Sequence, residues 1–103
     1  MDQIRHVVKR DGRIEAYDRD KITEAIARAF DAVYPDEEPQ PLRLDLLTHQ
    51  VEQHVLEPRR FVAAQDNPTI EEIQDVVEDV LMAARETRVA KAYIIYRARH
   101  QAI

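Results

Sequence analysis

Apolar residues recur at three- and four-residue steps in four stretches of this chain, and one short stretch near its start reads as β-strand instead. Between Arg19 and Val33 the stripe is Ile22, Ala25, Ile26, Ala29, Phe30 and Val33, the period of one buried helical face. Pro35, the acidic pair Glu37-Glu38, Pro39 and Pro41 then form a break that cannot continue the helix. A second helix is predicted over Leu42–Leu56, buried along Leu44, Leu47, Val51 and Val55. Glu57-Pro58 ends it, because the residue before proline disfavours helical φ/ψ. From Arg59 to Asn67 no period decides: Arg60 to Ala64 suits a short strand, a helical turn or a loop. Asn67-Pro68-Thr69 stops and restarts the pattern, with Thr69 as cap and Glu72 completing a capping box. The third helix then buries Ile70, Ile73, Val76, Val77, Val80, Leu81 and Ala84. Glu86-Thr87 marks a reversal that neither glycine nor proline enforces. A last helix runs from Arg88 to the C-terminus, with Val89, Ala92, Tyr93, Tyr96 and Arg99 near one face.

Ahead of these helices, Ile4–Lys9 and Arg13–Tyr17 are two β-favouring arms around Asp11-Gly12, and Gly12 is the only glycine in 103 residues. An Asp-Gly pair between such arms is a hairpin signal, because glycine takes the positive φ that the turn demands. Asp18 or Asp20 caps the helix that follows. A lone hairpin is barely stable in water, so it must lie on the helices. The predicted fold is α+β: an N-terminal β-hairpin or small sheet lidding a four-helix bundle, as a single domain over residues 1–103. Val7, Lys9, Ile14 and Glu15 then sit over the start of the first helix, with the third as a second seat. The gap beneath the lid is a candidate pocket.

Composition narrows the function. With 45% hydrophobic and 34% charged residues the chain is globular, and 103 residues bury one modest core. A net charge of −5 argues against non-specific nucleic-acid binding, which draws on phosphate neutralisation. The absence of cysteine removes disulfides, thiolate metal sites and thiol chemistry, and suits a cytoplasmic protein. No apolar run approaches the ~20 residues of a membrane helix. His6, His49, His54 and His100 form no metal-ligand grouping; His49 and His54 are off the i,i+4 spacing.

The basic residues cluster nonetheless. Lys9, Arg10, Arg13 and Lys21 fall close to one helix N-terminus, where cations oppose the dipole but an anion gains from them and from free N–H groups. Lys91, Arg97 and Arg99, interleaved with Tyr93 and Tyr96, form a second group on the last helix. Arg97 or Arg99 is able to offer a bidentate fork to phosphate. The plainer alternatives are a surface hairpin with solvated charges and core tyrosines whose hydroxyls reach water. A glycine-rich phosphate loop is impossible with one glycine, which argues against hydrolysis.

Three separated segments, Val8-Lys9-Arg10-Asp11-Gly12-Arg13-Ile14-Glu15-Ala16-Tyr17-Asp18 with Lys21-Ile22, Thr69 to Glu78, and Ala90 to Arg97, together resemble the ATP-cone. This is the adenine-nucleotide-binding regulatory module found at the N-terminus of many ribonucleotide reductases and in their transcriptional repressor. The resemblance spans nearly the whole chain. It implies ATP or dATP as effector between sheet and bundle, with Mg²⁺ accompanying the nucleotide. It also implies control of a reductase through effector-dependent homo-oligomerisation, the remainder of that enzyme or its subunits being the partners. Position by position, Lys9 and Arg10 after Val7-Val8, and Lys21-Ile22, match the phosphate end, and Glu15 a hairpin position near the nucleotide. Ile70, Ile73 and Gln74 match the base and sugar contacts. Tyr93, Tyr96 and Arg97 match the terminal pattern, where Arg97, Arg99 or His100 reaches the phosphates. The chain holds no catalytic domain and no cysteine zinc ribbon, and its Glu57–Pro68 segment is longer than the usual link. A module that uses the basic hairpin and the Tyr/Arg helix to contact protein or nucleic acid is the alternative function; a small nucleotide hydrolase is a third.

Overall fold

The computed structural model describes residues 3–57 and 67–101. The antiparallel strands β1 (His6–Val8) and β2 (Ile14–Ala16) pair in register His6↔Ala16, Val7↔Glu15 and Val8↔Ile14. Backbone bonds carry the pairing beyond both strands, from Tyr17 N–H to Arg5 O (2.9 Å) and from Lys9 N–H to Arg13 O (2.7 Å). The loop closes with Gly12 N–H on Lys9 O at 2.9 Å, and Gly12 supplies the left-handed step at φ 88°. Asp11 braces it by accepting from Arg13 N–H (3.0 Å) and Arg13 Nε (2.6 Å), which holds the Asp11 carboxyl below its ordinary range.

Helix α1 (Arg19–Val33) has the predicted bounds, opened by Asp18, whose carboxylate accepts from Asp20 N–H. Helix α2 (Pro41–Val55) corrects the reading of Pro41 as part of the break: at the first helical position its missing N–H costs nothing. Helix α3 (Ile70–Ala83) starts on the expected Thr69–Glu72 capping box, with both of its reciprocal bonds formed. Helix α4 covers Thr87–Gln101. Residues 58–66, almost all of the stretch left open by the pattern, lie outside the described residues.

The unenforced reversal between α3 and α4 proves to be a Schellman motif. Glu86 N–H bonds Leu81 O (2.9 Å), Arg85 N–H bonds Met82 O (3.0 Å), and Arg85 takes the left-handed position at φ 63°. A Cβ there costs about 1–2 kcal/mol. Arg85→Gly should therefore raise stability by about 1 kcal/mol, read as a higher urea midpoint at unchanged slope.

Contacts fix an up–down–up–down bundle. Arg43 of α2 pairs with Glu86 (2.8 Å) and lies over the Phe30 ring, while Arg88 lies over Tyr34. These join the end of α1, the start of α2 and the α3–α4 turn at one pole. At the other pole α1 and α3 begin and the hairpin sits. The core between them holds Ile26, Val51, Leu81 and Val89, all fully buried. Thr48 is fully buried as well; its hydroxyl donates to Leu44 O (2.9 Å) and shares a 2.8 Å bond with Thr23 Oγ1.

Candidate functional site

The hairpin lies chiefly on the start of α3. Val8 N–H donates to Pro68 O at 2.9 Å, Val8 bridges Thr69 in parallel, and Arg10 Nε meets Glu71 at 2.9 Å. Strand alternation then sorts the side chains. Val7 is buried in the core, so Glu15 opposite it, and Lys9 two positions on, belong to the helix-facing side of the ribbon. Ile14 falls on the other side and is 58% exposed, which corrects its expected seat over the first helix.

The far arm is anchored on α2. Tyr17 Oη donates to Glu52 (2.7 Å), Arg19 Nε donates to the same carboxylate (3.1 Å), and Arg19 also meets Asp45 at 2.7 Å. Burial first, and the Glu52 bond second, push the Tyr17 phenol well up; burial does the same for Tyr93. Unfolded tyrosine ionises near pH 10, so the stabilisation is complete below about that pH and is lost as pH rises beyond it. Urea midpoints should fall above pH ~10, and less steeply in Tyr17→Phe.

The cations expected at one phosphate site are each met by carboxylates or left in water. Lys9 Nζ is 3.5 Å from Glu15, and Arg13 reaches Asp11 and Glu15. Arg97 Nη1 donates to Asp75 (2.8 Å) and Glu78 (2.6 Å), tying α4 to α3. Lys21 and Arg99 are exposed. The His100 ring lies 3.9 Å from that of Tyr96, with Nδ1 2.9 Å from Tyr96 O. Ile73 and Tyr93 are core residues, and Ile22, Ile70 and Tyr96 pack against that core half-buried; Gln74 is half-buried on α3. The structure thus brings Val7, Val8, Lys9, Arg10 and Glu15 to the head of α3, and Tyr93, Tyr96, Arg97 and His100 together on α4.

Sequence reasoning missed the carboxylates. Glu71, Asp75 and Glu78 recur on α3 at steps of four and three, a stripe visible in the sequence as one acidic face, and it partners Arg10 and Arg97. A cavity of about 680 Å³ lies at the opposite pole, away from the gap expected beneath the hairpin. Among the described residues no group of three His, Asp or Glu is placed to hold a metal ion, and no helix is long and apolar enough to cross a membrane.

The pattern of the ATP cone domain matches residues 5–102. The chain is similar to a vitamin B12-dependent ribonucleoside-diphosphate reductase of Thermoplasma acidophilum, 38% identical over 105 residues that cover 97% of this chain and 12% of that protein. It is also similar to an anaerobic ribonucleoside-triphosphate reductase of Haemophilus influenzae, 38% identical over 91 residues, 88% of this chain and 12% of that one. A ribonucleoside-diphosphate reductase subunit alpha of Chlamydia pneumoniae is 33% identical over 102 residues, 93% of this chain and 10% of its own. The chain therefore spans only about a tenth of the length of these curated relatives.

Proposed function

Because this chain belongs to the ATP cone domain family, a family of nucleotide-binding regulatory modules, we propose that it binds ATP or dATP at the hairpin pole as an effector and does not hydrolyse it. One observation supports this above the others: a basic ribbon is pinned to the head of α3, with Lys9 and Glu15 on the side that faces the helices. Phosphates entering there would exchange Glu15 and Glu71 for themselves as the partners of Lys9 and Arg10. Their higher charge favours the exchange. Lys21, exposed in the first turn of α1, adds a cation without breaking any ion pair found among the described residues. Mg²⁺ would arrive on the phosphates, which carry the oxygen ligands it prefers. Ile70, Ile73 and Gln74 would meet the base and sugar, and Arg97, Arg99 or His100 the phosphates from α4.

In this reading the module controls a ribonucleotide reductase, and dATP shifts the oligomeric state. The exposed residues Arg28, Asp31 and His49 on α1 and α2 would serve as contacts. Ultracentrifugation without ligand, with ATP and with dATP tests the assembly. Thermal-shift titration of this chain with ATP, dATP, GTP and a DNA oligonucleotide tests the binding. ATP and dATP should add about 2.7 kcal/mol at a hundred times Kd, and the oligonucleotide nothing. Stabilisation by DNA alone would favour the interaction module, and phosphate release lost in Lys9→Ala would favour a hydrolase.

A further inference from the structure

At the pole opposite the hairpin, the cavity of about 680 Å³ is walled by Phe30 and Tyr34 of α1, by Glu37 and Glu38 of the following loop, and by Arg43 and Glu86. Both rings already carry a guanidinium of this chain. Arg43 lies 5.5 Å from the Phe30 centroid and Arg88 lies 5.8 Å from that of Tyr34. Of the three carboxylates lining the cavity, Glu86 is matched by Arg43 at 2.8 Å. Glu37 and Glu38 form no ion pair among the described residues. One lining guanidinium thus faces three carboxylates, and the unmet charge borders aromatic walls.

We propose that this cavity is a docking site for an arginine-bearing segment of a partner protein. Its guanidinium would lie against Tyr34 and bond Glu37 and Glu38. Chemistry selects this occupant in three ways. The surplus charge is negative, and the aromatic faces attract planar cations, as the chain's own arginines demonstrate. The rim at Glu37, Glu38 and Gln40 is open to water, whereas a small ligand usually has most of its surface enclosed. An aromatic floor with a polar, wet rim is the anatomy of a protein interface, where arginine is a favoured anchor. The pole is remote from the hairpin, so a partner is able to dock while the nucleotide site is in use.

The test titrates the ¹⁵N-labelled chain with acetylated tetra-arginine amide, tetra-lysine amide and spermine. Tetra-arginine should shift residues 34–44 and Glu86 and bind more tightly than tetra-lysine. Glu37→Gln with Glu38→Gln should weaken it about three- to tenfold, as expected for the loss of two water-exposed charge pairs. The charge-matched pair Glu24→Gln and Glu57→Gln, at exposed positions elsewhere, should change it less than about twofold. Tyr34→Phe should keep the affinity and Tyr34→Leu lose it, with urea midpoints confirming that each variant is folded. Shifts spread over the whole surface, or equal losses in the two double variants, would overturn the proposal. So would spermine binding at the same residues as tightly as tetra-arginine, which would make this a polyamine site.

Discussion

Ile26→Ala should cost the fold about 2–5 kcal/mol, the range for deleting a large aliphatic side chain from a core. Ile26 is fully buried near the middle of α1, which packs on both α2 and α4. The buried cluster it belongs to takes Leu47, Val51 and Val55 from α2, Val76, Val77 and Leu81 from α3, and Val89 and Tyr93 from α4, so the space it leaves lies in a close-packed core. A domain of this size has only about 5–15 kcal/mol in hand, so the loss is a large share of the total. Urea unfolding followed by circular dichroism measures it. The midpoint should fall while the slope holds, since the surface exposed on unfolding hardly changes. Leu81→Ala, equally buried on α3, should behave alike. A loss below about 1 kcal/mol at Ile26 would mean that the core is not centred on α1.

The fold was legible where a residue's chemistry allows one reading. Thr69, three residues ahead of Glu72, marked the start of α3 to the residue, whereas α1 had two candidate caps, Asp18 and Asp20, of which the structure uses Asp18. Where one residue serves two purposes, the pattern misled. Pro41 breaks a helix in its middle and opens one at its first position, and only the structure tells which. Thr48 and Ala90 are buried but did not register as core, the first for its hydroxyl and the second for its size. A helix conceals the Thr48 hydroxyl cheaply, because Leu44 O lies one turn back to accept it. The turn at Arg85 was hidden because its left-handed φ belongs, by preference, to glycine.

The candidate site was legible in its residue types and less so in their pairings. Charge clustering identifies Lys9, Arg10 and Arg97, but periodicity does not say which carboxylate each will meet. Those partners come from elements distant in sequence, Glu71 for Arg10 and Asp75 with Glu78 for Arg97. The cavity at the far pole was invisible for the same reason, being assembled from the end of α1, a loop, the start of α2 and the α3–α4 turn.

Those pairings separate residues that bind from residues that brace. Lys9→Ala and Lys21→Ala should each weaken ATP binding by about 1.5–3 kcal/mol, the range for hydrogen bonds to charged groups. Folding stability should move by no more than about 0.5 kcal/mol. Lys9 loses only a half-exposed pair with Glu15, a kind of contact worth at most about 1 kcal/mol. Lys21 is exposed, so its removal strands no buried partner. Arg97 is different. Its side chain is 15% exposed, and one nitrogen serves Asp75 and Glu78 together. Arg97→Ala removes that clamp and leaves Glu78, 26% exposed, in a half-buried position without its cation. A stability loss of about 1–3 kcal/mol should follow whether or not nucleotide is present. Arg97→Lys should recover part of it, since an ammonium keeps the charge but not the planar guanidinium's geometry. Calorimetry of ATP binding alongside urea midpoints for the four variants separates the roles. Unchanged ATP affinity in both Lys9→Ala and Lys21→Ala would reduce the ribbon to a solvated surface hairpin. A stability-neutral Arg97→Ala would show that the α3–α4 clamp holds nothing.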